Sequence, residues 1–206
     1  MRRTDRNNDG GRTVLLFMGP LTDEELAQRT QAGDAGAFGV LVDRYTDRLV
    51  RYGRRFLLDI PEAEDVAQDV FLKVYRNIRS FDPTRRFSPW VYRIAHNELV
   101  NYLKSRKHEA IPFFDPDTLF PHPVSPETAE GPAERAEMRH MLDACLAKLE
   151  VKYREVLALY YDEELGYREI ADILKIPTST VGVRLRRARE KVRTVWQTTH
   201  PIPRTE

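Results

Sequence analysis

The chain contains a single cysteine, Cys145, which excludes an intramolecular disulfide and fits a reducing, cytoplasmic setting. It lacks an apolar run of membrane-spanning length: "VLLFM" at 14–18 is too short for a span or for the apolar stretch of a leader. Its five histidines are scattered without metal-ligand spacing, so neither a metal nor a cofactor is expected. It also lacks a strong net charge, with 33 Lys+Arg against 32 Asp+Glu, a formal +1. Alternating strand patterns of useful length are absent too, which points to an all-α protein.

The charges are balanced in total but sorted along the chain. Residues 175–193 carry seven Lys/Arg against Glu190 alone, and residues 84–107 carry six against Glu98 alone. Residues 59–69 hold five acids and no base, and residues 108–134 six acids with no Lys or Arg. Such blocks suit a chain that meets nucleic acid at some places and protein at others.

Helical signals come in order. "TDEE" at 22–25 is a capping box opening a short helix that ends near Gly33. Asp34 can cap a long helix with Phe38, Leu41, Tyr45, Leu49 and Tyr52 on one face. Pro61 suits the first turn of a third, running through Ile78 with Val66, Val70, Phe71 and Val74 inward. Ser88-Pro89 repeats the signal for a fourth, reaching about Lys107. Within it Trp90, Val91, Ile94 and Ala95 take packing positions. Residues 108–134 then hold six prolines and no apolar period, the mark of a linker. Periodicity returns with Met138, Met141, Leu142, Cys145, Leu146 and Leu149, which puts Cys145 on a core face. Helices at about 151–162, 167–174 and 178–195 follow.

The expected architecture is two small helical domains, 20–107 and 133–196, joined by an acidic proline-rich linker at 108–132. Tails occupy 1–19 and 197–206. Each domain is small enough to own only a modest core.

"GYREIADILKIPTSTVGVRLRRAREKVR" has the chemistry of a helix-turn-helix. Ile170, Ala171 and Leu174 face inward on its first helix, and "KIP" forms the turn. The hydroxyls of "TST" can cap a second helix whose inner face is Val181, Leu185 and Ala188. The remaining positions of that helix are largely cationic, as a helix seated in a DNA major groove requires. Arg184 is the candidate for a base contact, with Ser179, Thr180 and Gly182 near the backbone or bases. Arg187 and Lys191 are the candidates for phosphate contacts.

This segment resembles region 4 of bacterial sigma-70-family factors, which binds the −35 promoter element. "EAEDVAQDVFLKVYRNI" resembles region 2.2, and "FSPWVYRIAHNELVNYLKSRKH" regions 2.3 and 2.4. With only a short linker between them, the arrangement is similar to the extracytoplasmic-function (ECF) subfamily. The resemblance spans roughly 160 residues. It implies that Asp65, Gln68 and Asp69 dock on the β′ coiled coil of core RNA polymerase, with the polymerase's β flap as a further expected contact. It implies that Asn97 reads a flipped base of the −10 element, with loop 81–88 closing over it. Arg85, Arg86 and Arg93 would hold the strand's phosphates, with Phe87 beside them. An anti-sigma factor is an expected partner, and membrane insertion is not expected. Ser179 stands where the family usually has glycine, and Gly182-Val183 where polar residues are common.

The implied function is promoter recognition and melting without covalent chemistry, so no catalytic residues are assigned. The alternative is a helix-turn-helix activator with an N-terminal regulatory or dimerisation domain, which would not need the basic, aromatic block at 84–107. A metal-dependent nuclease built on Glu62, Glu64, Asp65 and Asp69 is disfavoured, because those acids lack a second ligand cluster.

Overall fold

The computed structural model describes residues 21–56, 59–108, 145–146 and 148–199, and all that follows concerns these. The expected tail at 1–19, nearly all of the linker, and the periodic stretch through Leu142 lie outside them. The described residues form seven helices and no strand.

Helix α1 (Asp23–Gln31) opens on the expected capping box: the Glu25 amide donates to Thr22 Oγ1 at 3.2 Å, and the Thr22 amide to Glu25 Oε2 at 2.8 Å. The turn after it needs Gly33, whose φ is +99°. Asp34 then accepts from the Ala37 amide and caps α2 (Ala35–Arg54). Asp59 accepts from the Glu62 amide and starts α3 (Ile60–Asn77), with Pro61 in its first turn. A 3₁₀ turn, Ile78–Ser80, leads into a loop and then α4 (Phe87–His108). The first turn of α4 is capped from a distance: the Phe87 amide donates to Glu24 Oε1 at 2.8 Å, so α1 fixes where α4 begins.

These helices bury the apolar stripes that the periodicity indicates. Leu41, Tyr45, Leu49 and Tyr52 of α2 meet Val66, Val70 and Val74 of α3, and Val91, Tyr92, Ala95 and Leu99 of α4. Each fully buried aliphatic of this kind contributes roughly 1.5–3 kcal/mol.

The C-terminal half comprises α5 (Val151–Leu157), a π-helical turn (Ala158–Asp162), α6 (Tyr167–Leu174) and α7 (Thr178–Thr199). The helix expected at 151–162 is thus α-helical only in its first part. Helix α7 runs to Thr199, past the expected end at 195, with Val195 and Trp196 half-buried in its last turns. Lys175 takes a left-handed conformation (φ 55°) that ends α6 and makes the tight turn into α7. The Pro177 carbonyl accepts from the Thr180 and Val181 amides, closing the first turn of α7. Ile170, Ala171 and Leu174 pack against Val181 and Leu185, as a helix-turn-helix requires. Cys145 is buried, and burial pushes its thiol pKa up, consistent with a packing role.

The two halves share one continuous core. Their seam is ionic as well as apolar. Arg48 of α2 donates to Glu163 Oε2 from Nε (3.0 Å) and Nη2 (2.7 Å), and Arg55 pairs with Asp162 at 2.7 Å. Glu155 Oε1 accepts from the Tyr52 hydroxyl at 2.9 Å and lies 2.7 Å from His96 Nδ1. Burial pushes the Glu163 carboxyl above its usual range, against the pull of Arg48. Arg154, buried beside the like-charged Arg55, is drawn down to about 10, mainly by desolvation.

Gly182 sits inside α7, and a Cβ there would lie 3.5 Å from Tyr167 Cε2, an ordinary contact. Gly182→Ala should therefore stabilise the chain by about 0.5–1 kcal/mol, because a glycine in a helix interior costs backbone entropy. Urea denaturation reads this directly as a raised midpoint at unchanged slope.

Candidate nucleic-acid interface

The loop before α4 is built to hold its shape. Asp82 Oδ1 accepts from the Thr84 amide (3.0 Å) and hydroxyl (2.7 Å), and the Arg85 amide donates to the Asp82 carbonyl. Those Thr84 bonds hold the Asp82 carboxyl below its usual pKa. From α1, the Gln31 side-chain amide donates to the carbonyls of Ile78 (2.8 Å) and Phe81 (2.7 Å), pinning the loop's entry. Neither Gln31 nor Glu24 carries a sequence signal for this task, since both partners lie far along the chain.

Below the loop stands an aromatic floor. Phe81, Phe87 and Trp90 pack with ring centroids 5.2–5.7 Å apart, and Tyr45 meets Phe87 edge-on at 5.5 Å. This corrects one expectation: Phe87 is 1 % exposed, a core ring under the surface and not a residue that faces DNA. Its spacing explains the reversal, because 87, 91 and 95 form the inward stripe of α4. Trp90 is half-buried and lines a cleft of about 450 Å³ with Phe81, Arg85, Arg86 and Arg93. Asn97 is exposed one turn beyond Arg93 on the same side of α4. Arg85, Arg86, Arg93 and Asn97 are therefore brought to one exposed face. Glu169 and Asp172 of α6 close the cleft from the other half, and Arg86 pairs with Glu169 at 3.1 Å.

On α7, Thr180, Arg184, Arg187 and Lys191 recur at steps of four, three and four, flanking the buried stripe Val181, Leu185 and Ala188. Ser179 and Arg187 are exposed at the surface, and Thr180 and Arg184 partly so. Gly182 is partly buried against Tyr167. Lys191 is tied to Glu150 at 3.0 Å, with its ammonium 5.1 Å from the Tyr153 ring. Arg189 leans the other way, donating to the Tyr161 hydroxyl at 2.9 Å.

Asp65, Gln68 and Asp69 are exposed together along α3. Beside Gln68 lies an apolar shelf of Phe38, Phe71, Leu72 and Tyr75, with Leu72 and Tyr75 about half exposed. The sequence held a signal for this shelf: Leu72 and Tyr75 fall off the inward stripe 66, 70, 74, so they cannot be core. Among the described residues, no group of three or more His, Cys, Asp or Glu is arranged to hold a metal. No described helix is long and apolar enough to cross a membrane.

Comparison with known proteins fits this geometry. Residues 41–109 match the family model for Sigma-70 region 2, and residues 139–192 the model for Sigma-70 region 4. The chain is 35 % identical over 174 residues to the ECF RNA polymerase sigma factor SigW of Bacillus subtilis (strain 168), covering 81 % of this chain and 92 % of that protein. It is 33 % identical over 181 residues to the ECF RNA polymerase sigma-E factor of Escherichia coli (strain K12), covering 84 % and 93 %. Among solved structures it resembles CnrH in complex with the cytosolic domain of CnrY, at 26 % identity and TM-score 0.61, covering 86 % of this chain and 99 % of that one. The fold also matches the sigma factor RpoE in complex with the anti-sigma factor NepR from Bartonella quintana, at 19 % identity and TM-score 0.62, covering 79 % and 98 %. With both halves matched in order and more than four-fifths of the chain aligned, the protein belongs to the sigma-70 family of RNA polymerase sigma factors, in its ECF group.

Proposed function

We propose that the two halves of this sigma factor divide a promoter between them. The C-terminal helix-turn-helix reads −35 duplex through α7, and the α4 face captures −10 DNA as a melted single strand. The observation that carries this is the convergence of Arg85, Arg86, Arg93 and Asn97 on one exposed face beside an aromatic-floored cleft. Cations track the phosphates of a single strand, and an amide fixed on a helix can pair with the edge of an extruded base. The aromatic rings support the platform, and Asn97 does the reading. Unpairing costs a few kcal/mol per base, so contacts made only by the extruded base favour the open duplex.

The chain acts by binding and without covalent chemistry, in the cytoplasm, where its polymerase works. Core polymerase docks on Asp65, Gln68 and Asp69 through a basic helix of the β′ coiled coil, with the Leu72/Tyr75 shelf taking that helix's apolar side. The β flap meets the C-terminal half. An anti-sigma factor is the expected inhibitor; the similar protein CnrH is itself solved in complex with the cytosolic domain of CnrY. A free-standing activator is not favoured, because the relatives matched across both halves are sigma factors.

Mapping transcription starts after forced expression supplies the cognate promoter, on which three variants are informative. Asn97→Ala should reduce open-complex formation by about 1–3 kcal/mol, the worth of one bidentate base contact, while polymerase binding stays normal. Permanganate reactivity of the −10 thymines measures it. Arg184→Ala should lose about 1–3 kcal/mol of discrimination at one −35 position, read by comparing matched and mismatched duplexes. A uniform loss on all sequences would instead make Arg184 a phosphate contact. Asp65→Lys with Asp69→Lys should abolish pull-down of core polymerase, because like charges facing a basic helix cost several kcal/mol.

A further inference from the structure

Helix α7 carries one apolar side chain on its outward face that neither packing nor charge accounts for. Its inward stripe is Val181, Leu185 and Ala188, all buried. At 3.6 residues per turn, position 183 lies about 200° around the helix from Val181, almost directly opposite that stripe. Val183 occupies it, 40 % exposed, and among the described residues of α7 it is the one exposed large apolar side chain. Ser179 stands one turn before it and Arg187 one turn after, both exposed. Arg184 sits nearer the buried edge and is only partly exposed. The centre of the outward face thus belongs to a valine set between a hydroxyl and a guanidinium.

We propose, resting on the −35 reading given above, that Val183 reads a thymine of the −35 element through the base's C5-methyl group. A helix seated in the major groove turns the outermost residues of its N-terminal part to the base edges. Val183 falls within the first two turns, since α7 starts at Thr178. The thymine methyl is the apolar group that base edges offer in that groove. A β-branched side chain in a helix holds essentially one rotamer, so the two methyls of Val183 meet it without an ordering cost. The same side chain offers neither donor nor acceptor, so a cytosine placed against it would bury its amino group without a partner. Selection then comes both from attraction of the methyl and from rejection of a polar edge. An exposed valine alone is ordinary on a protein surface; its place at the centre of a DNA-facing stripe is what sets this one apart.

Deoxyuridine keeps thymine's pairing and lacks only the methyl, so it isolates the contact. The probe is a fluorescein-labelled fragment of the cognate promoter, with each −35 thymine replaced in turn by deoxyuridine. It is titrated by anisotropy with holoenzyme assembled from the full-length chain and core polymerase. One replacement should weaken binding by the wild type about fourfold, the worth of one buried methyl. Val183→Ala trims an exposed helix position, so it should fold as the wild type does by circular dichroism. It should bind the thymine and deoxyuridine fragments equally at that position and stay selective at the other −35 positions. A −35 element without thymine, a set of replacements none of which matters, or a position still sensitive in Val183→Ala overturns the assignment. So does an equal weakening of Val183→Ala on all sequences. Scrambling the −35 element under wild-type holoenzyme tests the parent reading separately. Indifference to scrambling removes that reading and the thymine contact together, whereas sensitivity to scrambling without sensitivity to deoxyuridine removes the thymine contact alone.

Discussion

The arrangement of the two halves turns on one ion pair, Arg48 with Glu163. The Glu163 side chain is 2 % exposed and desolvation works against its charge, which the Tyr92 hydroxyl and the Arg48 guanidinium favour. Removing Arg48 would leave a buried carboxylate without its cation, at a cost of up to about 3–5 kcal/mol. Apolar contact alone would let the halves slide; a buried charge tolerates one register. Tyr45, Arg48, Tyr52 and Arg55 repeat at steps of three, four and three along α2, so one face of one helix delivers the whole set. Arg48 is braced further by the Tyr45 ring, whose centroid lies 4.5 Å from its guanidinium carbon. The Tyr52 hydroxyl and His96 converge on Glu155, extending the same logic to a second buried carboxylate.

Much of the fold is legible along the chain because its determinants are local. Thr22/Glu25, Asp34 and Asp59 cap their own helices, and the stripes at 41/45/49/52 and 66/70/74 state their inward faces directly. The helix-turn-helix is legible for the same reason: "KIP" needs a tight turn, and small Ala171 needs a close neighbour. What is not legible depends on partners far along the chain. Glu24 caps α4 across 63 positions, and the Gln31 amide reaches Ile78 and Phe81. Arg48 and Arg55 read from sequence as solvated charges on an amphipathic helix, since nothing near them names a buried acid.

The candidate site divides along the same line. The exposed cations and Asn97 follow from helical spacing, since they fall off the inward stripe of α4. Phe87 misleads because an aromatic next to arginines suggests stacking on bases, yet its position continues the 91/95/99 stripe and its ring is packed against Tyr45, Phe81 and Trp90. Gly182 is partly buried, with the Tyr167 ring at ordinary contact distance from where a Cβ would stand, a neighbour that its place in the sequence does not announce.

The braced loop and its aromatic floor decide where the cost of capturing −10 DNA falls. The loop at 81–86 is held by Asp82 from within and by Gln31 from α1, and α4 is started by Glu24, so the cleft's N-terminal wall is preformed. The opposite wall is lent by Glu169 and Asp172 of α6. On the proposed reading, preorganisation on the N-terminal side would let a captured base meet Asn97 and its arginines without a further ordering cost. The cost of capture then lies chiefly in unpairing the duplex.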